Sequence, residues 1–249
     1  MNRNELLRAF NAHGPVVLPV IHVLDSEQTQ RNTEIAIAGG CPGVFLINHD
    51  FEKEKLVPII KEMRNAFPNA WIGVNFLAVT GKYAFPILGE LEAKGVKVDG
   101  YWADDARMDE RRDESDQPEA DEIADIRKNS GWSGLYIGGT AFKKQRDVDP
   151  SRYGDAAREA CQFMEVITTS GVATGQEADL GKIETFRAAI GDRPMALASG
   201  ISPKNAIDYA DVDCFMVATG INQQDNFYDI DPTKLAELMS ITRTLSKGV

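Results

Sequence analysis

Basic residues are scarce in this 249-residue chain: 27 Lys and Arg face 38 Asp and Glu, a formal charge of −11. That balance argues against general nucleic-acid binding, which needs clustered cations to displace counterions. Cysteine is sparse as well. Cys41, Cys161 and Cys214 are scattered, without metal-ligand spacing, and read as reduced thiols of a cytoplasmic protein. Cys214 opens an apolar run and reads as a small core residue rather than a nucleophile. No run approaches the roughly 18 apolar residues that span a bilayer. The opening MNRNELLRAFNAHG also lacks the apolar stretch of a signal peptide. A cytoplasmic location without membrane insertion is therefore expected. Several catalytic fingerprints are missing: HExxH, a Cys/His zinc cluster, GxSxG, and GxGxxG after the first strand. No strand interior carries a lysine. Schiff-base aldolase chemistry is left with Lys143 alone, just past the fifth strand.

What the chain does have is a repeating alternation. Apolar residues make up 43% and charged residues 26%, enough apolar surface for a core that needs no disulfide. Eight apolar runs recur: Val16–Val23, Gly43–Asn48, Trp71–Leu77, Val98–Ala103, Gly134–Gly138, Glu165–Thr169, Met195–Ser199 and Phe215–Thr219. Rich in Val, Ile and Phe, they suit strands covered on both faces. Helical patterns lie between them. Leu56, Ile59, Ile60, Met63 and Phe67 make one apolar stripe over 51–67, and similar stripes fall over 180–190 and 233–245. Ser202-Pro203 and Asp231-Pro232 each place a capping side chain before a proline, predicting helix starts. Gly14, Gly95, Gly131 and Gly191 fall where helices should end. Strand–helix alternation predicts a parallel sheet with right-handed crossovers. Eight units fit a closed (β/α)8 TIM barrel, an α/β fold, as one domain over 1–249. An extra N-terminal helix over 2–10 should close its bottom. A doubly wound open sheet is the alternative.

In such a barrel the site forms at the C-terminal ends of the strands. Nearly every run turns from apolar to polar or glycine at that end. The first ends on His22, the second on Asn48, His49 and Asp50, and the third contains Asn75. The fourth ends on Asp104 and Asp105, and the sixth runs into Thr168, Ser170, Gly171, Thr174 and Gly175. The last two end on Ser199-Gly200 and Thr219-Gly220. Those two turns suggest a phosphate site, because glycine lets an anion approach backbone N–H groups. The same glycines would equally serve tight turns. Thr168 to Gly175 suits a lid or a ribose and phosphate contact. His22 and His49 are candidate proton-transfer groups, and Asp50 and Asp105 candidate acids or bases. Asp104 and Asp50 are candidate Mg²⁺ ligands. Adjacent strand residues point opposite ways, so only one of Asp104 and Asp105 should face the pocket.

The run Thr168-Thr169-Ser170-Gly171-Val172-Ala173-Thr174-Gly175, then Asp179-Leu180-Gly181-Lys182-Ile183, then Pro194-Met195-Ala196-Leu197-Ala198-Ser199-Gly200-Ile201-Ser202-Pro203-Lys204-Asn205-Ala206, resembles the BtpA/SgcQ family. Gly73-Val74-Asn75-Phe76-Leu77 is similar to that family's third strand, and His22 sits where it has a histidine. Asn48-His49-Asp50 departs from the acidic-Asn pair frequent there. The resemblance implies a ribulose-phosphate-binding barrel. The family is named for a factor in photosystem I biogenesis, and some members are labelled phosphoribosyltransferases or nucleosidases.

Three readings follow. The first is an enzyme acting on a small phosphorylated sugar or nucleotide, by phosphoribosyl transfer or nucleosidase-type chemistry. The second is a sugar-phosphate isomerase or lyase, and the third a non-catalytic assembly or stability factor. A homo-oligomer is the general expectation for such a chain. The charge is uneven. Asp104 to Asp125 holds eleven acids and three arginines, a local charge of −8. This segment reads as a solvated helix face or as a flap over the barrel mouth. Acid near an anion site would call for a cation between them.

Overall fold

Eight short parallel strands close on themselves in the computed structural model, which describes residues 1–143 and 145–245. They are β1 (Val16–Val23), β2 (Gly43–Asn48), β3 (Trp71–Asn75), β4 (Gly100–Ala103), β5 (Leu135–Gly139), β6 (Val166–Thr169), β7 (Met195–Leu197) and β8 (Cys214–Val217). Each pairs with the next, and β8 returns to β1 with Val16 opposite Cys214. The fold is the (β/α)8 barrel expected from the spacing of the runs.

The helices are α1 (Arg3–Ala9), α2 (Ser26–Ala38), α3 (Lys53–Ala66), α4 (Gly81–Ala93), α5 (Pro118–Ser130), α6 (Tyr153–Ala160), α7 (Leu180–Ile190) and α8 (Pro232–Thr244). Helix α1 is the added element. Asn2 and Glu5 cap it reciprocally, and its buried Leu6 and Leu7 plug the N-terminal end of the barrel. Asp231 starts α8 by accepting from Thr233 and Lys234 N–H, with Pro232 at the first position.

Two apolar layers result. Leu18, Val20, Phe45, Ile47, Trp102, Ile137, Val166, Ala196 and Met216 fill the barrel interior, whereas the intervening residues pack against the helices. Among the described residues no helix is long and apolar enough to cross a membrane.

Two local expectations change. Ser202-Pro203 does not open an α-helix; a turn leads into a 3-10 turn at Ala206–Tyr209. Asn205 explains it, since its side chain accepts from Ser202 N–H (2.8 Å) and donates to Gly200 O (2.8 Å). Those bonds compete with a helical ladder. Gly14 does not terminate α1 either. Asn11 takes the left-handed conformation (φ 48°), and Gly14 is needed because a Cβ there would lie 2.3 Å from Thr242 O.

Candidate functional site

Strand parity decides which polar residues reach the barrel interior. Side chains alternate, so residues in step with Val20, Trp102 and Val166 point inward. His22, Asp104 and Thr168 share that phase, and Asn75 donates to Asp104 Oδ1 at 3.2 Å. All four are buried.

Above the apolar floor is a cavity open to solvent. His22, His49, Asp104, Lys143, Thr174, Gly175, Ser199, Gly200 and Thr219 are among the residues that line it.

His22 is fixed by the long segment after β8. Its Nδ1 donates to Phe227 O at 3.1 Å, and its ring stacks on Phe227 with centroids 3.8 Å apart. A proton on Nδ1 leaves the Nε2 lone pair as acceptor in the neutral ring. Burial pushes the pKa of His22 from its ordinary 6.5 down to about 4; the Phe227 carbonyl opposes this, while His49 and Lys143 add to it. The ring is therefore neutral at physiological pH and suited to accept a proton. A stability consequence follows. The unfolded chain takes up this proton near pH 6.5 and the folded chain only near pH 4. Stability from this group is thus complete above pH 6.5 and falls by about 3 kcal/mol as pH drops through that window. Urea unfolding of wild type and His22→Asn across pH 4 to 7 should show this extra slope in wild type alone. Parallel curves would contradict it.

The other candidates divide. His49 lies at the rim, with Nδ1 3.5 Å from Asp50 Oδ1, and its ring meets His22 edge-on at 5.6 Å. Asp50 is exposed, accepts from the Tyr228 hydroxyl at 2.9 Å, and is not among the residues lining the cavity. Asp105 turns outward, accepting from Arg107 N–H (2.7 Å) and Gln145 Nε2 (3.0 Å). Asn48 also lies on the outer phase and ties two loops, donating to Phe51 O and accepting from Leu77 N–H. Among the described residues no group of three or more His, Cys, Asp or Glu gathers where it could hold a metal ion. Asp50 and Asp104, the carboxylates expected to bind Mg²⁺, are engaged by different partners, Tyr228 and Asn75.

The glycine-rich loops are packed on one another. The Ser199 hydroxyl donates to Ala173 O and Gln176 O, holding the loop after β6 against the end of β7. A Cβ on Gly200 or Gly171 would lie 2.4 Å from Gln176 O, and one on Gly220 1.9 Å from Ile201 O. These glycines are thus required by backbone approach, whatever the ligand. Ser170 is likewise internal: its hydroxyl accepts from Lys143 N–H and donates to Gly171 O. What remains available is backbone. The N–H groups of Gly200, Ile201, Thr219 and Gly220 make no hydrogen bond among the described residues. Gly200, Ile201 and Thr219 line the cavity.

Lys143 is the residue that sequence reasoning set aside. Its Nζ donates to Ala198 O at 3.2 Å, and it supplies positive charge to the cavity. Lysine in a loop after a strand carries no local mark of direction. Phe227 carries no local mark either, because the ring it stacks on lies 205 positions away.

The acidic segment is docked against the next loop. Glu110 is buried and ion-paired with Arg146, its carbonyl accepts from Arg152, and Arg146 also reaches Asp109. Arg107 joins Asp105 to Glu119 at the start of α5. The segment's charge is thus offset partly by arginines from outside it.

No protein-family model matches this sequence, and no curated protein does. The BtpA/SgcQ resemblance therefore rests on the residues quoted for it. Solved structures are similar across the whole barrel. One described as "Native KDPGal structure" aligns over 92% of this chain and 95% of its own, with TM-score 0.63 and 10% identity. Phosphoribosyl anthranilate isomerase from Thermus thermophilus aligns over 92% and 99%, with TM-score 0.60 and 14% identity. The tryptophan synthase alpha chain from Legionella pneumophila aligns over 98% and 97%, with TM-score 0.62 and 15% identity. At these identities the likeness concerns the fold: this chain is a (β/α)8 barrel similar to those of known enzymes.

Proposed function

We propose that this protein is a phosphate-binding barrel enzyme acting on a small phosphorylated sugar or nucleotide. The observation that carries the reading is the set of groups that line one cavity. Gly200, Ile201 and Thr219, whose backbone N–H groups are not engaged among the described residues, are part of its lining. A neutral, oriented His22, the Asp104 carboxyl and Lys143 line the same cavity, with Lys143 Nζ on Ala198 O, two residues before Gly200. Backbone amides suit a phosphate and Lys143 adds charge. His22 would then move a proton through Nε2 and Asp104 would stabilise positive charge on the substrate. The name of one structural neighbour includes a phosphoribosyl group. Together with the BtpA/SgcQ resemblance, it favours chemistry at a phosphoribosyl centre, by transfer or nucleosidase-type cleavage.

The neutral state of His22 also favours a second reading, proton abstraction by an isomerase or lyase. Deuterium exchange from solvent into a bound sugar phosphate separates the two, because glycosyl transfer leaves carbon-bound protons in place.

Thermal-shift and calorimetric titrations with inorganic phosphate, ribose 5-phosphate and AMP test the shared reading. A ligand at about 100 times its Kd adds roughly 2.7 kcal/mol of stability. Lys143→Met should weaken phosphate binding about tenfold, the cost of one charge-assisted hydrogen bond. Absence of binding by all three compounds would overturn the assignment.

A further inference from the structure

Lys182 is a buried lysine that no step above uses. It lies on α7, 7% exposed, with no ion pair among the described residues. Its Nζ donates to two backbone carbonyls, Ala141 O at 2.5 Å and Ser170 O at 3.0 Å. Aromatic rings flank it, with centroids 5.0 Å (Tyr153) and 5.9 Å (Phe186) from Nζ. The Asp179 carboxylate accepts from Lys182 N–H as the helix cap. Burial lowers the Lys182 pKa to about 8, with Asp179 opposing the shift. Burying an ammonium group without a carboxylate partner is costly.

Ala141 adopts a left-handed backbone (φ 46°), a conformation disfavoured for a residue with a Cβ. Its carbonyl accepts from both Lys182 and Thr169 Oγ1. The next residue, Phe142, packs in the barrel interior, and Lys143 follows at the cavity. Ser170, whose carbonyl is the second acceptor, also takes Lys143 N–H on its hydroxyl at 2.9 Å. The ammonium group therefore bonds Ala141 O at one end of the short path into Lys143 and, at the other, the carbonyl of the residue whose hydroxyl takes Lys143 N–H.

We propose that Lys182 is a positioning residue: by pinning Ala141 O and Ser170 O it holds the left-handed turn that delivers Lys143 to the cavity. Its consequence for phosphate binding rests on the function proposed above, whereas its effect on Lys143 does not. The same bonds join the loops after β5 and β6. The substitution Lys182→Met keeps the length of the stem and removes the donors. Without them the strained turn should relax.

The test compares wild type with Lys182→Met in two assays. In the first, an N-hydroxysuccinimide ester of acetic acid acylates the folded protein and peptide mass spectrometry reads the rate at Lys143. Lys182→Met should change that rate severalfold, while the exposed Lys94 reacts as before. In the second, phosphate affinity is measured for Lys182→Met, Lys143→Met and the double variant. Lys182→Met should weaken binding about tenfold in the wild-type background and have little further effect without Lys143. An unchanged Lys143 rate overturns the proposal, as does full additivity of the two substitutions. If phosphate binds no variant including wild type, the proposed function falls and the acylation assay still judges Lys182. Should Lys182→Met fail to fold, Lys182→Gln, which keeps one donor group, is read in the same assays.

Discussion

Replacing His22 by Asn should lower turnover by a factor of about 10² to 10⁴, the usual contribution of a positioned acid or base. The shorter side chain places an amide N–H near the position of Nδ1, so the bond to Phe227 O can persist. Nε2 has no counterpart, and proton transfer is lost. On the function proposed above, the expected signature is a fall in kcat with phosphate affinity close to wild type, because the amides of Gly200, Ile201 and Thr219, and not His22, would hold the anion. Wild-type activity should also decline as pH falls toward about 4, where His22 takes up its proton, and remain on a plateau above it as far as this group is concerned. A His22→Asn enzyme with unchanged kcat would remove His22 from the chemistry.

The largest stability effect is expected at the other end of the barrel. Asp213 is fully buried just before β8. Its carboxylate accepts from Arg3 Nε at 2.8 Å, Arg187 Nη2 at 2.6 Å and Met195 N–H at 3.0 Å. It thereby joins α1, α7 and β7. Asp213→Ala leaves the Arg187 guanidinium partly buried without this partner, and such breakage costs about 3–5 kcal/mol. Arg3→Ala should cost less, about 1 kcal/mol, because Arg3 is a quarter exposed and the Asp213–Arg187 pair survives. Urea unfolding gives both values. A loss under about 1 kcal/mol for Asp213→Ala would show that the pair does not hold these elements together.

Much of the architecture was legible because its signals are local. An apolar run, a capping Asp231 ahead of Pro232, or a stripe such as Ile183, Phe186 and Ile190 needs only neighbours in sequence. The same locality misled at Ser202-Pro203. There the capping pattern was present, but Asn205 offered the backbone a competing set of bonds. At the site, the polar ends of the runs marked the end of the barrel where the cavity lies. They did not mark which residues meet there. These strands are apolar on both faces, so no alternation reveals the inward phase. Asp104 and Asp105 look alike in sequence, yet Asp104 joins Asn75 inside and Asp105 joins Arg107 and Gln145 outside.

The glycines show the same division. Gly200 and Gly220 were legible as special positions, but their reason is the approach of Gln176 and Ile201 from other segments. Strand number, strand order and the end of the barrel that carries the polar residues were determined by the sequence alone, through periodicities that act within tens of residues. The members of the cavity were decided by tertiary structure. Phe227 stacks on His22 from 205 positions away, and Lys182 grips Ala141 from 41 positions away. Such contacts depend on barrel closure and loop packing, which bring together residues whose local sequence carries no record of the partner.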